Sequence, residues 1–179
     1  MNIPNLITVG RLLAVPAVIY ALLHGDLRIA FFVFAVAGLS DAVDGAIARF
    51  FNQRSELGAW LDPLADKLLM VSVFVMLAWM GAIPDWLVFM AATRDALIVG
   101  AVVVSSLMDN PLKVSPIFIS KANTAVQILY AFAVMANMAF NLGMDEPLTA
   151  LLYTSALLTI ASGASYLLIW MRHLSGSQR

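Results

Sequence analysis

The sequence predicts an all-α integral membrane protein: six transmembrane helices forming one domain over residues 1–179. Three observations carry that expectation. Hydrophobic residues make up 62% of the chain, against roughly 45–50% in a soluble domain even with glycine counted. Charged residues make up 12%, about half the usual share. The apolar residues also fall into six stretches long enough to cross a bilayer, which takes about 20 residues each. Six spans with short connections consume the chain, so no soluble catalytic domain fits beside them and any chemistry sits on the membrane helices.

The first span covers Leu6–Leu23. Before it, polar Asn2, Asn5, Thr8 and Arg11 alternate with Ile3, Leu6 and Ile7, a pattern that fits either a short interfacial helix or a plain helix start. This span lacks the basic start and small-residue cleavage site of a signal peptide and is expected to be retained. His24-Gly25-Asp26 turns the chain into the second span, Leu27–Phe51, and Asn52-Gln53-Arg54-Ser55 leads to the third, Gly58–Met80. Gly81-Ala82-Ile83-Pro84 opens the fourth, Pro84–Leu107. Asp109-Asn110-Pro111 precedes the fifth, Ile117–Phe140, and Asn141 to Asp145 precedes the sixth, Pro147–Met171. There is no internal repeat and no cysteine, which excludes disulfides and thiolate metal sites. The formal net charge of −1 gives no reason to expect a nucleic-acid partner.

Basic residues set the orientation. Arg11, Arg49, Arg54, Lys113, Lys121, Arg172 and Arg179 lie on the side that six spans assign to both termini, and only Arg28 lies opposite. That asymmetry places the termini in the cytoplasm.

Removing the loop charges leaves Asp41, Asp44, Asp62, Asp66, Lys67, Arg94 and Asp95 within or at the edge of the spans. A charge at the membrane centre costs roughly 2.5–3.5 kcal/mol on the mildest scale. Arg94 with Asp95, or Lys67 alone, reads as readily as a buried ion pair or snorkelling side chain as it does as a functional group. Four aspartates cannot neutralise one another; they repel unless protonated or bridged by cations. Asp41 and Asp44 are three apart, Asp62 and Asp66 four apart, so each pair shares one helix face. A short connection makes the second and third helices antiparallel neighbours, with both pairs at the cytoplasmic edge. All-oxygen donors suit Mg²⁺, Mn²⁺ or Ca²⁺, held singly or as a pair. Gly45, Ala48 and Gly58 leave room for a ligand, although small residues also serve close helix packing in lipid. Arg49 fits a phosphate oxygen or a cytoplasmic anchor.

Together these residues read Asp41-x-x-Asp44-Gly45-x-x-Ala48-Arg49, eight intervening residues, then Gly58-x-x-x-Asp62-x-x-x-Asp66. The pattern resembles the signature of the CDP-alcohol phosphatidyltransferase family at every fixed position, and the likeness extends over nearly the whole chain. It implies transfer of a phosphatidyl group from a CDP-linked lipid to an alcohol with release of CMP, divalent metal (Mg²⁺ or Mn²⁺, two ions) and a homodimer. It implies Asp41, Asp44 and Asp62 as metal ligands, and Asp66 as both ligand and general base. It implies Gly45, Ala48, Arg49 and Gly58 as the lining of the CDP site.

For the acceptor, Asn2-Ile3-Pro4-Asn5 is common to two branches of that family. One uses phosphatidylglycerol and makes cardiolipin; the other uses glycerol-3-phosphate. Asn52 to Gly58, Leu61 to Lys67, Arg94-Asp95 and Ile119 to Gln127 resemble the first branch more, with CDP-diacylglycerol as donor. Either acceptor carries a phosphate, and Arg94 and Lys121 are the candidates to bind it; Lys113 reads as a surface charge. An ion-coupled transporter is the rival class, since intramembrane carboxylates also mark ion pathways. Against it, the acids gather at one membrane face and the chain shows no repeated halves.

Overall fold

The computed structural model describes residues 3–51, 56–108 and 117–176, with side chains described over 10–40, 64–108, 117–173 and 175–176. Six helices and no strand occur among the described residues: α1 (Ile3–Leu23), α2 (Leu27–Phe51), α3 (Glu56–Trp79), α4 (Asp85–Leu107), α5 (Phe118–Phe140) and α6 (Asp145–Leu174). The α4, α5 and α6 helices are each long and apolar enough to cross a membrane, and α1 and α2 contribute the shorter apolar segments Gly10–Leu23 and Leu27–Ser40. Large apolar side chains point outward on these helices, with Phe118 84%, Leu107 79% and Trp79 and Phe89 each 72% exposed. Such surface is unfavourable in water but costs nothing against acyl chains. The chain is an all-α integral membrane protein.

The turns follow from glycine. Gly25 has φ 77°; its N–H donates to the Leu22 carbonyl at 3.2 Å and that of Asp26 to the Ala21 carbonyl at 2.9 Å. Gly81 has φ 71°, and the same two bonds recur from Gly81 to Ala78 and from Ala82 to Leu77, both 2.8 Å. Both are Schellman caps, which need a residue in the left-handed region just after the last helical turn. After α5, Asn141 at φ 51° takes that role, and Oδ1 of Asn137 accepts the Met144 N–H at 3.1 Å. The expected alternative of a separate interfacial helix is not what the backbone adopts: from Ile3 it is one α-helix to Leu23, running through Pro16.

The chain divides into two compact units, Met1–Ile83 with Ala131–Met144, and Pro84–Tyr130 with Asp145–Arg179. In the first, α1 packs on both α2 and α3. Its core joins Val18, Ala21 and Leu22 to Phe31, Phe34, Leu69, Val73 and Leu77, all buried. The Phe31 ring lies 4.8 Å from Phe132 and 5.3 Å from Phe140, fastening the end of α5 to α2. In the second unit α4 packs on α6, and the buried residues are unusually polar: Arg94, Ser105, Asn123, Ser155, Thr159 and Ser162.

Candidate functional site

The acidic motif falls on helices as its spacing requires. Asp41 and Asp44 lie on α2; Asp62 and Asp66 lie on α3, which stays α-helical through Pro63. Each pair therefore shares a helix face. The two acid-bearing helices share one neighbour, α1, which packs on both. The side chains of Asp41, Asp44, Gly45, Ala48, Arg49, Gly58 and Asp62 lie outside the described residues. Asp66 is described, and its Oδ1 lies 2.6 Å from Nη1 of Arg11, with side-chain exposures of 40% for Asp66 and 3% for Arg11.

Sequence reasoning missed the pairing of Arg11 with Asp66, counting Arg11 only toward the polar helix start and the orientation. The signal was its position inside the first span, five residues beyond Leu6, where a charge calls for a partner. Packing of α1 against α2 and α3 removes it from lipid and water, and Asp66 offsets its charge. No group of three or more His, Cys, Asp or Glu side chains able to hold a metal occurs among the described residues, a set that contains one of the four motif aspartates. The described member, Asp66, brings oxygen donors of the kind a hard divalent cation takes, and its 40% exposed side chain lies against Arg11.

In the second unit Arg94 projects from α4 and is buried at 9% exposure. Its Nε donates to Oγ of Ser162 at 3.0 Å, and its Nη2 donates to the same oxygen at 2.7 Å and to Oγ of Ser120. Nη1 meets Oδ1 of Asp95 at 2.7 Å. The Tyr166 ring centroid lies 5.7 Å from the guanidinium carbon, within the range of a cation–π contact. The stem of Arg94 passes over Gly163, where a Cβ would stand 3.6 Å from its Cγ. Of the two residues expected to bind an acceptor phosphate, Arg94 is thus buried and held, whereas Lys121 is exposed next to Ser120. Lys113 lies outside the described residues.

The α6 residues holding Arg94 belong to a longer polar seam. Ser155, Thr159, Ser162, Tyr166 and Trp170 recur at helical spacing along one face. Thr159 Oγ1 lies 2.8 Å from Oδ1 of Asn123 and accepts from Nε2 of Gln127 at 3.2 Å, and Trp170 Nε1 donates to Ser105 at 3.1 Å. Such bonds join helices where lipid offers no hydrophobic drive.

An all-α membrane protein with paired carboxylates on two consecutive helices defines a class of lipid-embedded proteins, and the sequence comparison gives it a family. The sequence profile of the CDP-alcohol phosphatidyltransferase family matches residues 1–171, and the chain belongs to that family. It is similar to the human protein named cardiolipin synthase (CMP-forming), 38% identical over 92% of this chain and 60% of the human one. A Drosophila melanogaster protein named probable cardiolipin synthase (CMP-forming) is 32% identical over 94% of this chain and 57% of its own. A chloroplastic CDP-diacylglycerol–glycerol-3-phosphate 3-phosphatidyltransferase from rice is 33% identical over 93% of this chain and 56% of its own. The chain thus spans well under two thirds of the length of these relatives.

Proposed function

We propose that this chain is an enzyme that transfers the phosphatidyl group of CDP-diacylglycerol to a free hydroxyl of phosphatidylglycerol, giving cardiolipin and CMP. The observation that carries the reading is the similarity to proteins named CMP-forming cardiolipin synthases across more than nine tenths of the chain. The site supports it with a carboxylate, Asp66, held in place by a buried guanidinium.

In the reaction the acceptor oxygen bonds to the phosphorus of the phosphatidyl group, the bond from that phosphorus to the bridging oxygen of the diphosphate breaks, and CMP leaves carrying the bridging oxygen. Asp66 takes the hydroxyl proton as the oxygen attacks; a carboxylate of modest basicity suffices because the proton moves with the developing bond. Arg11 keeps the Asp66 carboxylate aimed at the acceptor. Asp41, Asp44, Asp62 and Asp66 would hold one or two Mg²⁺ or Mn²⁺ ions, which supply neutralisation of the diphosphate and of the departing CMP. Gly45, Ala48, Arg49 and Gly58 line the CDP pocket. Arg94, with Lys121 nearer the surface, binds the acceptor phosphate. The acidic motif faces the cytoplasm with both termini, and the enzyme works as a homodimer in the membrane.

The test is CMP release by purified protein in detergent micelles containing CDP-diacylglycerol and Mg²⁺ or Mn²⁺, across a panel of acceptors. Phosphatidylglycerol should support release and glycerol-3-phosphate should not. A second reading, transfer to glycerol-3-phosphate, is favoured by the similarity to the rice enzyme, and it replaces the first if only glycerol-3-phosphate releases CMP.

A further inference from the structure

Arg94 is expensive to immobilise. An arginine side chain carries much rotamer freedom, and a guanidinium inside a membrane bundle needs partners for its N–H groups. The structure meets both demands chiefly from α6. Ser162, fully buried, accepts from Nε and Nη2 together, using both lone pairs of its hydroxyl on one guanidinium. Two bonds from adjacent edges of a planar fork to one oxygen fix the plane of that fork. The neighbouring Gly163 lets the Arg94 stem lie against the helix, and Tyr166, one turn beyond Ser162, sits beneath the charge.

The chemistry of the partners matters as much as their number. Ser162 and Ser120 are neutral, so they orient the guanidinium without cancelling its charge. Among the described residues, Asp95 alone offsets it, from one side. Of the five N–H groups an arginine offers, Nε uses one, Nη2 two and Nη1 one on these partners. One N–H on Nη1 is left without a partner among the described residues, on a cation whose direction is fixed.

We infer that Ser162 is a positioning residue for acceptor binding: it locks the Arg94 guanidinium so that its remaining charge and Nη1 donor face the acceptor phosphate. This rests on the assignment of Arg94 to that phosphate. A residue acting this way changes how well the acceptor is held and leaves donor binding and the chemical step alone.

The experiment compares Ser162→Ala, Ser162→Cys and Arg94→Ala as full-length protein in mixed micelles, measuring KM for phosphatidylglycerol, KM for CDP-diacylglycerol, kcat and thermal unfolding. Ser162→Ala, which strips two bonds from a charged group, should raise the acceptor KM about tenfold, while kcat and the donor KM stay within about twofold of wild type. Ser162→Cys, close in size with a weaker acceptor atom, should fall between; it carries the same test if the alanine variant does not fold. An unchanged acceptor KM in a folded Ser162 variant, beside a raised one in Arg94→Ala, overturns the positioning role and leaves the acceptor site standing. Parallel changes in both KM values and kcat overturn it too, since they mark a general structural role. An unchanged acceptor KM in Arg94→Ala removes the acceptor assignment itself, and the inference with it.

Discussion

In the unit built around α1–α3, the buried cation Arg11 meets a carboxylate on another helix, at 2.6 Å. In the unit built around α4–α6, the buried cation Arg94 meets the carboxylate next to it in sequence and then hydroxyls from two other helices. The first arrangement sets positive charge against a carboxylate of the acidic motif and holds it in place. The second fixes a cation largely with neutral groups and keeps its charge available. A membrane protein can therefore hold a buried arginine in two ways, against a carboxylate on another helix or chiefly among neutral hydroxyls.

The sharpest way to break this comparison is at the acid. Asp66→Asn keeps size and removes the base, and kcat should fall by about 10²–10⁴-fold in a protein that still folds; a near-normal rate would remove Asp66 from the chemistry. Arg11→Ala comes next. Losing the brace should lower kcat about tenfold, and stability by about 1–2 kcal/mol, a figure reduced for the exposure of the Asp66 carboxylate. Arg11→Lys should recover part of both, because a compact ammonium restores the charge without the fork. Unchanged kcat in both variants would make Arg11 an anchor and nothing more. Away from either cation, Gly81→Ala forces a side chain into the left-handed region at φ 71° and should cost about 1 kcal/mol, read as a lower unfolding temperature. Smallest is Trp170→Phe, which deletes one bond of the polar seam; about 0.6 kcal/mol is expected, with activity retained.

The helices were legible because their ends are written in glycine, proline and asparagine. The second span, Leu27–Phe51, matches α2 to the residue. At α6 the expected Pro147–Met171 falls short of Asp145–Leu174 at both ends. Hydropathy stops at the last apolar residue, whereas the helix continues through Asp145 and Glu146 in its first turn and Arg172 and His173 in its last. Those charges complement the helix dipole.

The acidic motif stands out in the sequence because four like charges in lipid have no bland explanation, and of its carboxylates the structure describes that of Asp66. Arg11 and Ser162 do not stand out, for opposite reasons. An arginine near the end of a span passes for an anchor, and its burial depends on two other helices. A serine in a membrane helix passes for filler, since its hydroxyl can bond the carbonyl one turn back, as Ser40, Thr154 and Ser165 do. Only the fold separates a serine that satisfies itself from one turned inward on a guanidinium.

The glycine turns also act as rulers. From Gly25, Arg11 lies fourteen residues back along α1 and Asp41 sixteen residues on along α2, about 21 and 24 Å at the helical rise. From Gly81, Asp66 lies fifteen residues back along α3, about 22 Å by the same measure. Measured from these two glycine turns, a cation and two acids thus stand at distances along their helices that agree to within a single helical turn. Adding one residue to α1 between Arg11 and Gly25 would slide the guanidinium along this scale and swing it about 100° around the helix, away from the carboxylate it now meets.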